Sequence, residues 1–388
     1  MKKRPGLVHR LPAVIANIVE NKKHDNGPHS VGQICVQTLK AYTGGPPMKH
    51  IGMDLHSTTT DACVRNENGE ILLRRRIVTT QAELKKFLDG IPEAKRVAIE
   101  ECQMADWVTR CLEPHVDEII RSQPQFNRLI SESEDKEDRK DAESLSELLY
   151  LNRIKPVHHP NLDYRNLREA VRAYWVASWE LTRAKNRLKD FFLFHGVHEK
   201  GDRIYSTGQR ERSIRKLKSS PGINLRLLEL LYLRMDQCRQ LKAQHIRLVR
   251  QSAKPMSHLV RLLQTMPAMG PIYAYTLVAY LEDGHRIRNK RKLWRYGGLS
   301  LRRHESRDIG KKKASRFGNR LIKHVALSVA ATVASHPDDN ALGARWEKDI
   351  RGKVKPNLAL RNLARKILAI AQCLLRSKKE YSNELLIN

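Results

Sequence analysis

Near Pro160 the hydrophobic period of the chain changes, and this constrains the fold more than any other feature. Up to about Leu151, short apolar runs alternate with turn signals, as strands and short helices require. Beyond Pro160, apolar residues recur at intervals of three, four and seven, the spacing of packed helices. An α/β region followed by an all-helical one is therefore expected. The 388 residues are enough for two or three domains, each burying its own core.

Within the first region, His50 to Leu55, Asp61 to Arg65 and Ile71 to Val78 predict three strands, the last two joined by the turn Asn66-Glu67-Asn68-Gly69. A helix is predicted over Gln81 to Leu88, where Leu84, Phe87 and Leu88 share a face. A buried strand, Arg96 to Ile99, then runs into Glu100. Three strands in a meander, a helix and another strand form the opening of the ribonuclease H-like fold. This places Asp54 on the first strand and Glu100 at the end of the fourth. A helix over Ala105 to Leu112, a strand over Val116 to Arg121 and a helix over Asn127 to Leu151 extend the unit. Residues Met1 to Pro47 carry no period and end in the breaker cluster Gly44-Gly45-Pro46-Pro47, which reads as a disordered leader or a start site set too far upstream of Met48.

Beyond Pro160, Tyr164, Leu167, Val171, Tyr174, Leu181 and Leu188 form a heptad-like series, and Leu227 to Val249 does likewise. A coiled-coil hairpin with its loop near Gly201 to Pro221 and a pair of ordinary bundle helices fit these spacings equally. The expected domains are thus a leader (1–47), an α/β domain (48–155), a helical linker (156–256) and a basic helical domain (257–388). Lys and Arg number 72 against 42 Asp and Glu, a net charge of +30, which demands a polyanionic partner such as nucleic acid. Between His285 and Lys323 fifteen Lys and Arg face only Glu305 and Asp308. No apolar run approaches the roughly 18–20 residues needed to cross a bilayer. The N-terminus is a poor secretory signal. Six cysteines without a C-x-x-C pair suggest reduced thiols rather than a disulfide or zinc framework.

Three constellations carry chemistry. Asp138 and Asp141, three apart on a predicted helix, project from one face; by themselves they also fit a solvated charged face beside Lys136, Arg139 and Lys140. Asp54 stands in an apolar strand, Ile51-Gly-Met-Asp-Leu, where a charge needs a partner. With Glu100 the set is D, E, D-x-x-D, hard oxygen donors suited to Mg2+ or Mn2+ in phosphoryl transfer. Glu101 is a competitor, which strand alternation sends to the opposite face. Second, Leu262 to Pro271 and the apolar helix after it resemble a helix-hairpin-helix motif, whose turn amides, Gly270 among them, receive a phosphate. Ala268 stands where that motif has its first glycine, and Pro271 removes one amide. Third, Ser306 lies in a basic, glycine-bounded loop with Ser300 and Ser315 as competitors. Its hydroxyl is placed to meet a phosphodiester among arginines, although a serine there also fits a plain turn.

In this order the motifs resemble the bacterial insertion-sequence DEDD transposases, the one-ten family, from about Met48 onward. Ile51-Gly-Met-Asp54, Ala98-Ile-Glu100, Asp138-Arg-Lys-Asp141-Ala142, Arg302-Arg-His-Glu-Ser306 and Ser315-Arg-Phe-Gly-Asn319 carry the likeness. Two places depart from it: Glu101-Cys102-Gln103 after Glu100, and Arg307 after the serine. The resemblance implies a RuvC-like ribonuclease H domain with a mixed sheet, a coiled-coil linker and a mostly helical C-terminal transposase domain. It implies a DNA recombinase in which Ser306 attacks a phosphodiester while Asp54, Glu100, Asp138 and Asp141 hold Mg2+, with Mn2+ an alternative. Arg302, Arg303, Arg307, Lys311, Lys312, Lys313 and Arg316 would contact nucleic acid. It further implies donor and target DNA, a structured guide RNA (the bridge RNA), a homo-oligomer sharing its active sites between subunits, and a bacterial cytoplasmic, nucleoid-associated location. The residues alone leave two other readings open, a junction resolvase or metal-dependent nuclease using water and a non-catalytic nucleic-acid-binding protein.

Overall fold

The computed structural model describes residues 47–123, 138–199, 201–218, 222, 224–303, 312–314, 318–349 and 355–383. The leader therefore lies outside the described residues, as does the predicted helical start at 127–137. The chain divides into two compact units, Met1–His159 and Pro160–Asn388.

The first unit is built on strands β1 (Met48–Leu55), β2 (Thr59–Arg65), β3 (Ile71–Val78), β4 (Ala94–Glu100) and β5 (Glu118–Ser122), with helices α1 (Gln81–Asp89), α2 (Ala105–Leu112) and α3 (Asp138–Tyr150). The sheet runs β3-β2-β1-β4-β5. β1 pairs antiparallel with β2 and β2 with β3, whereas β4 runs parallel to β1 and β5 parallel to β4. This mixed sheet is the ribonuclease H-like, RuvC-like arrangement that the order of elements implied. Alternation along the strands divides its faces. Ile51, Met53, Val97 and Ile99 join Leu84, Leu88, Val108 and Leu112 of α1 and α2 in one core. On the other face Ala98 packs with Leu145 and Leu149 of α3.

The helix α3 lies unusually close to β1. A methyl group on Gly52 would fall 2.2 Å from the Ala142 carbonyl oxygen and 2.4 Å from the Ser146 nitrogen, so only glycine admits the helix backbone at that point. The Arg65 Nε donates to Ser146 Oγ at 3.0 Å, and buried His50 meets Tyr150 edge-on at 5.6 Å, fastening the rest of α3 to the sheet.

The second unit contains α4 (Leu162–Phe194), α5 (Arg210–Lys218), α6 (Leu225–Ser252), α7 (Ser257–Gln264), α8 (Pro271–Leu281), α9 (Lys290–Tyr296), α10 (Arg320–Ser335), α11 (Ala341–Asp349) and α12 (Pro356–Ser377). Asn161, Asn224, Asn289 and Asn319 cap four of these, each side chain accepting a first-turn amide. α4 and α6 form an antiparallel hairpin: Lys242 lies over the Tyr174 ring and Phe192 meets Tyr232. Buried Leu167, Val171, Tyr174, Leu181, Leu188 and Phe192 occupy alternate positions of a heptad seam. The open end of the hairpin, including Leu167, Val171 and Val249, joins α7, α8, α10 and α12 in the large core, while its tip holds a separate cluster around Phe192 and Tyr232. Unlike the helical reading of this region, a two-stranded ribbon interrupts it, with β6 (Leu301–Arg303) pairing antiparallel with β7 (Lys312–Ala314). No helix among the described residues is long and apolar enough to cross a membrane.

Candidate active site

The sheet brings the first two carboxylates level. Met53 pairs with Ile99 in the parallel β1–β4 ladder, so Asp54 and Glu100 follow as neighbours at adjacent strand ends. Asp54 lies two residues beyond Gly52 and Glu100 two beyond Ala98. Strand alternation therefore sets both on the face that α3 covers. Asp141 immediately precedes Ala142, the residue seated on Gly52, and is exposed. Asp138 opens the same helix one turn earlier; its side chain lies outside the described residues. Residues 54, 100 and 141 thus belong to one face of one sheet.

Glu101 belongs elsewhere. Arg121, 4% exposed on β5, donates its Nε and Nη2 to the two oxygens of Glu101 at 2.9 and 2.7 Å, and its Nη1 also bonds Asp106 and His159. Burial disfavours the Arg121 cation, but the bonds to Glu101 and Asp106 outweigh it and raise its pKa. Glu101 is consequently committed to an ion-pair cluster that ties β4, α2 and β5 together.

Around the three carboxylates the electrostatics are mixed. The Asp54 Oδ2 lies 2.9 Å from His56 Nε2, across the turn that leaves β1. Asp61, opposite Asp54 on β2 and buried, is gripped by Arg76, whose Nε and Nη2 both donate to Oδ2, at 3.2 and 2.8 Å. The pKa of Glu143 on α3 is lowered by its hydrogen bonds with Arg74 on β3. Asp61 is therefore neutralised in place. The oxygen donors of Asp54, Glu100 and Asp141 suit a hard divalent cation and leave phosphate and water to complete its shell, so the residue types fit such an ion. Among the described residues no three His, Cys, Asp or Glu side chains converge tightly enough to hold a metal by themselves.

In the second unit the turn between α7 and α8 has hairpin geometry. Ala268 adopts φ +59°, the left-handed conformation that a glycine takes without strain. Gly270 caps α8 just ahead of Pro271. Further on, Gly298 and Gly318 meet back to back: a methyl group on Gly318 would lie 2.4 Å from the Gly298 nitrogen, and both have positive φ. Asn319 donates its amide to Tyr296 O at 2.6 Å, closing the base of the ribbon. Arg302 and Arg303 lie on β6 and Lys312 and Lys313 on β7. Their side chains, and the whole of Ser306, Arg307, Lys311 and Arg316, lie outside the described residues. Sequence reasoning missed His56, Arg121 and the ribbon; only His56, two residues from Asp54, had a local signal.

A sheet of this order, with acids at the adjacent ends of two parallel strands and an acid-bearing helix across them, belongs to the ribonuclease H-like class of nucleic-acid enzymes. The comparisons narrow it further. Residues 51–195 match a transposase model of the DEDD, IS110 type, and residues 260–346 match the transposase IS116/IS110/IS902 family. The chain belongs to the IS110 family of insertion-sequence transposases, enzymes that cleave and recombine DNA. No curated protein matches it.

Proposed function

We propose that this transposase moves its element by a serine-nucleophile mechanism assisted by Mg2+, within the domains 48–155 (catalytic), 156–256 (linker) and 257–388 (transposase). The observation that carries the proposal is the shared face of β1, β4 and α3, which sets Asp54, Glu100 and Asp141 on one side of the sheet. These residues with Asp138 would hold the cation. When bound, it supplies charge neutralisation at the phosphodiester. The Ser306 Oγ attacks the DNA phosphorus: the Oγ–P bond forms, the scissile P–O bond breaks, and the hydroxyl proton passes to solvent while the departing oxygen takes one up. The phosphoserine linkage conserves the bond energy, so a second strand's hydroxyl rejoins the DNA by the reverse step. Arg302, Arg303, Arg307, Lys311, Lys312, Lys313 and Arg316 stabilise the phosphate charge, and the Gly270 amide receives a backbone phosphate in exchange for its 3.2 Å bond to Ala268 O.

The +30 charge supports simultaneous grip on donor and target DNA and on a structured guide RNA. The carboxylates and the serine belong to different compact units, which suits a homo-oligomer whose subunits complete one another's sites. Such an enzyme works in the bacterial cytoplasm at the nucleoid. Incubating the chain with Mg2+ and a DNA carrying the element's ends, then trapping a denaturation-resistant protein–DNA adduct, tests the mechanism. Ser306→Ala abolishes the adduct and strand exchange. Full exchange by Ser306→Ala would instead leave water as the nucleophile. RNA that co-purifies with the chain and contains segments matching the element's flanks supports guidance; purely random cellular RNA counts against it.

A further inference from the structure

Helices α9, α10 and α12 contain no aspartate or glutamate, although the chain has 42. Between α9 and α12 a surface groove opens, lined by Lys290, Trp294, Asn362, Arg365, Lys366 and Ala369. The indole, the Ala369 methyl and the aliphatic stems of the long cations make its floor apolar, while charged ends rim it. Among the described residues no carboxylate lines it.

The polar groups of the groove are fixed in a particular way. Trp294 donates Nε1 to the Arg365 carbonyl at 3.2 Å, which sets the indole plane, and the Arg365 guanidinium lies 5.5 Å from the ring. Arg365 in turn donates Nε and Nη2 to Leu299 O at 2.8 and 2.6 Å, and Nη1 to Asn362 Oδ1 at 3.2 Å. The Asn362 carbonyl is thus committed, whereas its Nδ2 makes no hydrogen bond among the described residues. Burial and the neighbouring Arg361 both push the Arg365 pKa down, so a nearby anion would favour its charged form.

We propose that the α9–α12 groove seats one unpaired nucleotide of a single strand, its base against Trp294 and near the Asn362 amide, its flanking phosphates on Lys290 and the cationic rim. A base within a duplex is stacked on both sides and offers no face to an indole, whereas a splayed base offers a face to stack and an edge to an amide donor. The groove reaches the start of the ribbon, where Arg365 donates to Leu299 O just ahead of β6. The inference rests on the chain's being a nucleic-acid enzyme, and the strand is DNA or RNA.

The test uses the full chain and four probes of one sequence: single-stranded DNA, single-stranded RNA, duplex DNA and, for cross-linking, a single strand carrying 4-thiothymidine or 4-thiouridine. Lys290→Glu, on an exposed residue, and Asn362→Ala are expected to weaken single-strand binding at least about 5-fold while duplex binding falls less, since only an unpaired base presents its edge to Asn362 with its flanking phosphate on Lys290. The cross-link is expected on peptides containing Trp294 or Asn362, and the preferred single strand identifies the source. Equal losses for single strand and duplex, or cross-links confined to other peptides, overturn the groove while leaving transposition intact. A chain that binds no probe overturns the nucleic-acid reading itself.

Discussion

Replacing Gly52 by alanine separates the packing of α3 from the chemistry it carries. The added methyl would lie 2.2 Å from Ala142 O and 2.4 Å from Ser146 N, both backbone atoms that cannot rotate away, and 2.9 Å from Leu145 Cβ. Relief therefore requires the helix to withdraw by about 1 Å or more to reach van der Waals separation. Overpacking of this kind costs about 1–3 kcal/mol. In a unit of this size that lowers Tm by roughly 4–12 °C. The same displacement carries Asp141 away from Asp54 and Glu100, and a 1 Å misplacement of reacting groups costs about 100-fold in rate. Thermal unfolding measures the first quantity, and excision of the element from a plasmid bearing its own flanks measures the second. Gly208→Ala is the control: its φ lies outside the left-handed region, no atom lies within 4 Å of the new methyl, and it touches neither the carboxylates nor the basic ribbon residues, so both measurements stay at wild-type values. Unchanged stability and activity in Gly52→Ala would refute the close seating of α3 on β1. Lost stability with unchanged activity would show that the helix plays no part in the chemistry.

Three further outcomes are expected. Asp54→Asn and Asp141→Asn each lower strand cleavage by at least about 100-fold, since loss even of an outer partner of a metal ligand costs up to that much, while DNA affinity measured by anisotropy is largely retained; retained cleavage would remove these two carboxylates from the chemistry. Arg121→Ala removes the fork that joins Glu101, Asp106 and His159, and because both carboxylates are partly exposed and regain water, the loss in denaturant unfolding is about 1–3 kcal/mol. The pKa of His50 is lowered by burial, with Arg96 adding to it, so the unfolded chain binds the proton first. Stability is full above the ordinary value of 6.5, declines as pH falls through 6.5, and levels off below the folded value. Unfolding of His50→Phe across that range shows a shallower slope, and an unchanged slope would assign the acid sensitivity elsewhere, His324, also lowered by burial, being the next candidate.

Periodicity alone determined the order of elements from β1 to α3 and the change to helices at Pro160, because each is a local pattern of apolar residues that burial must satisfy, but it left a coiled-coil hairpin and a pair of bundle helices equally open. It also placed Asp54 and Glu100 at strand ends. Which of Glu100 and Glu101 faces Asp54 was beyond a local pattern, since alternation only says that the two point oppositely. The seating of α3 over Gly52 and Ala98, and the capture of Glu101 by Arg121, decided it. The β6–β7 ribbon was invisible for a related reason: Leu301-Arg-Arg and Lys312-Lys-Ala have no alternating apolar face, and they pair because Gly298 and Gly318 bring distant segments together. Such long-range choices depend on backbones approaching closely across the fold, and only the tertiary structure determines them.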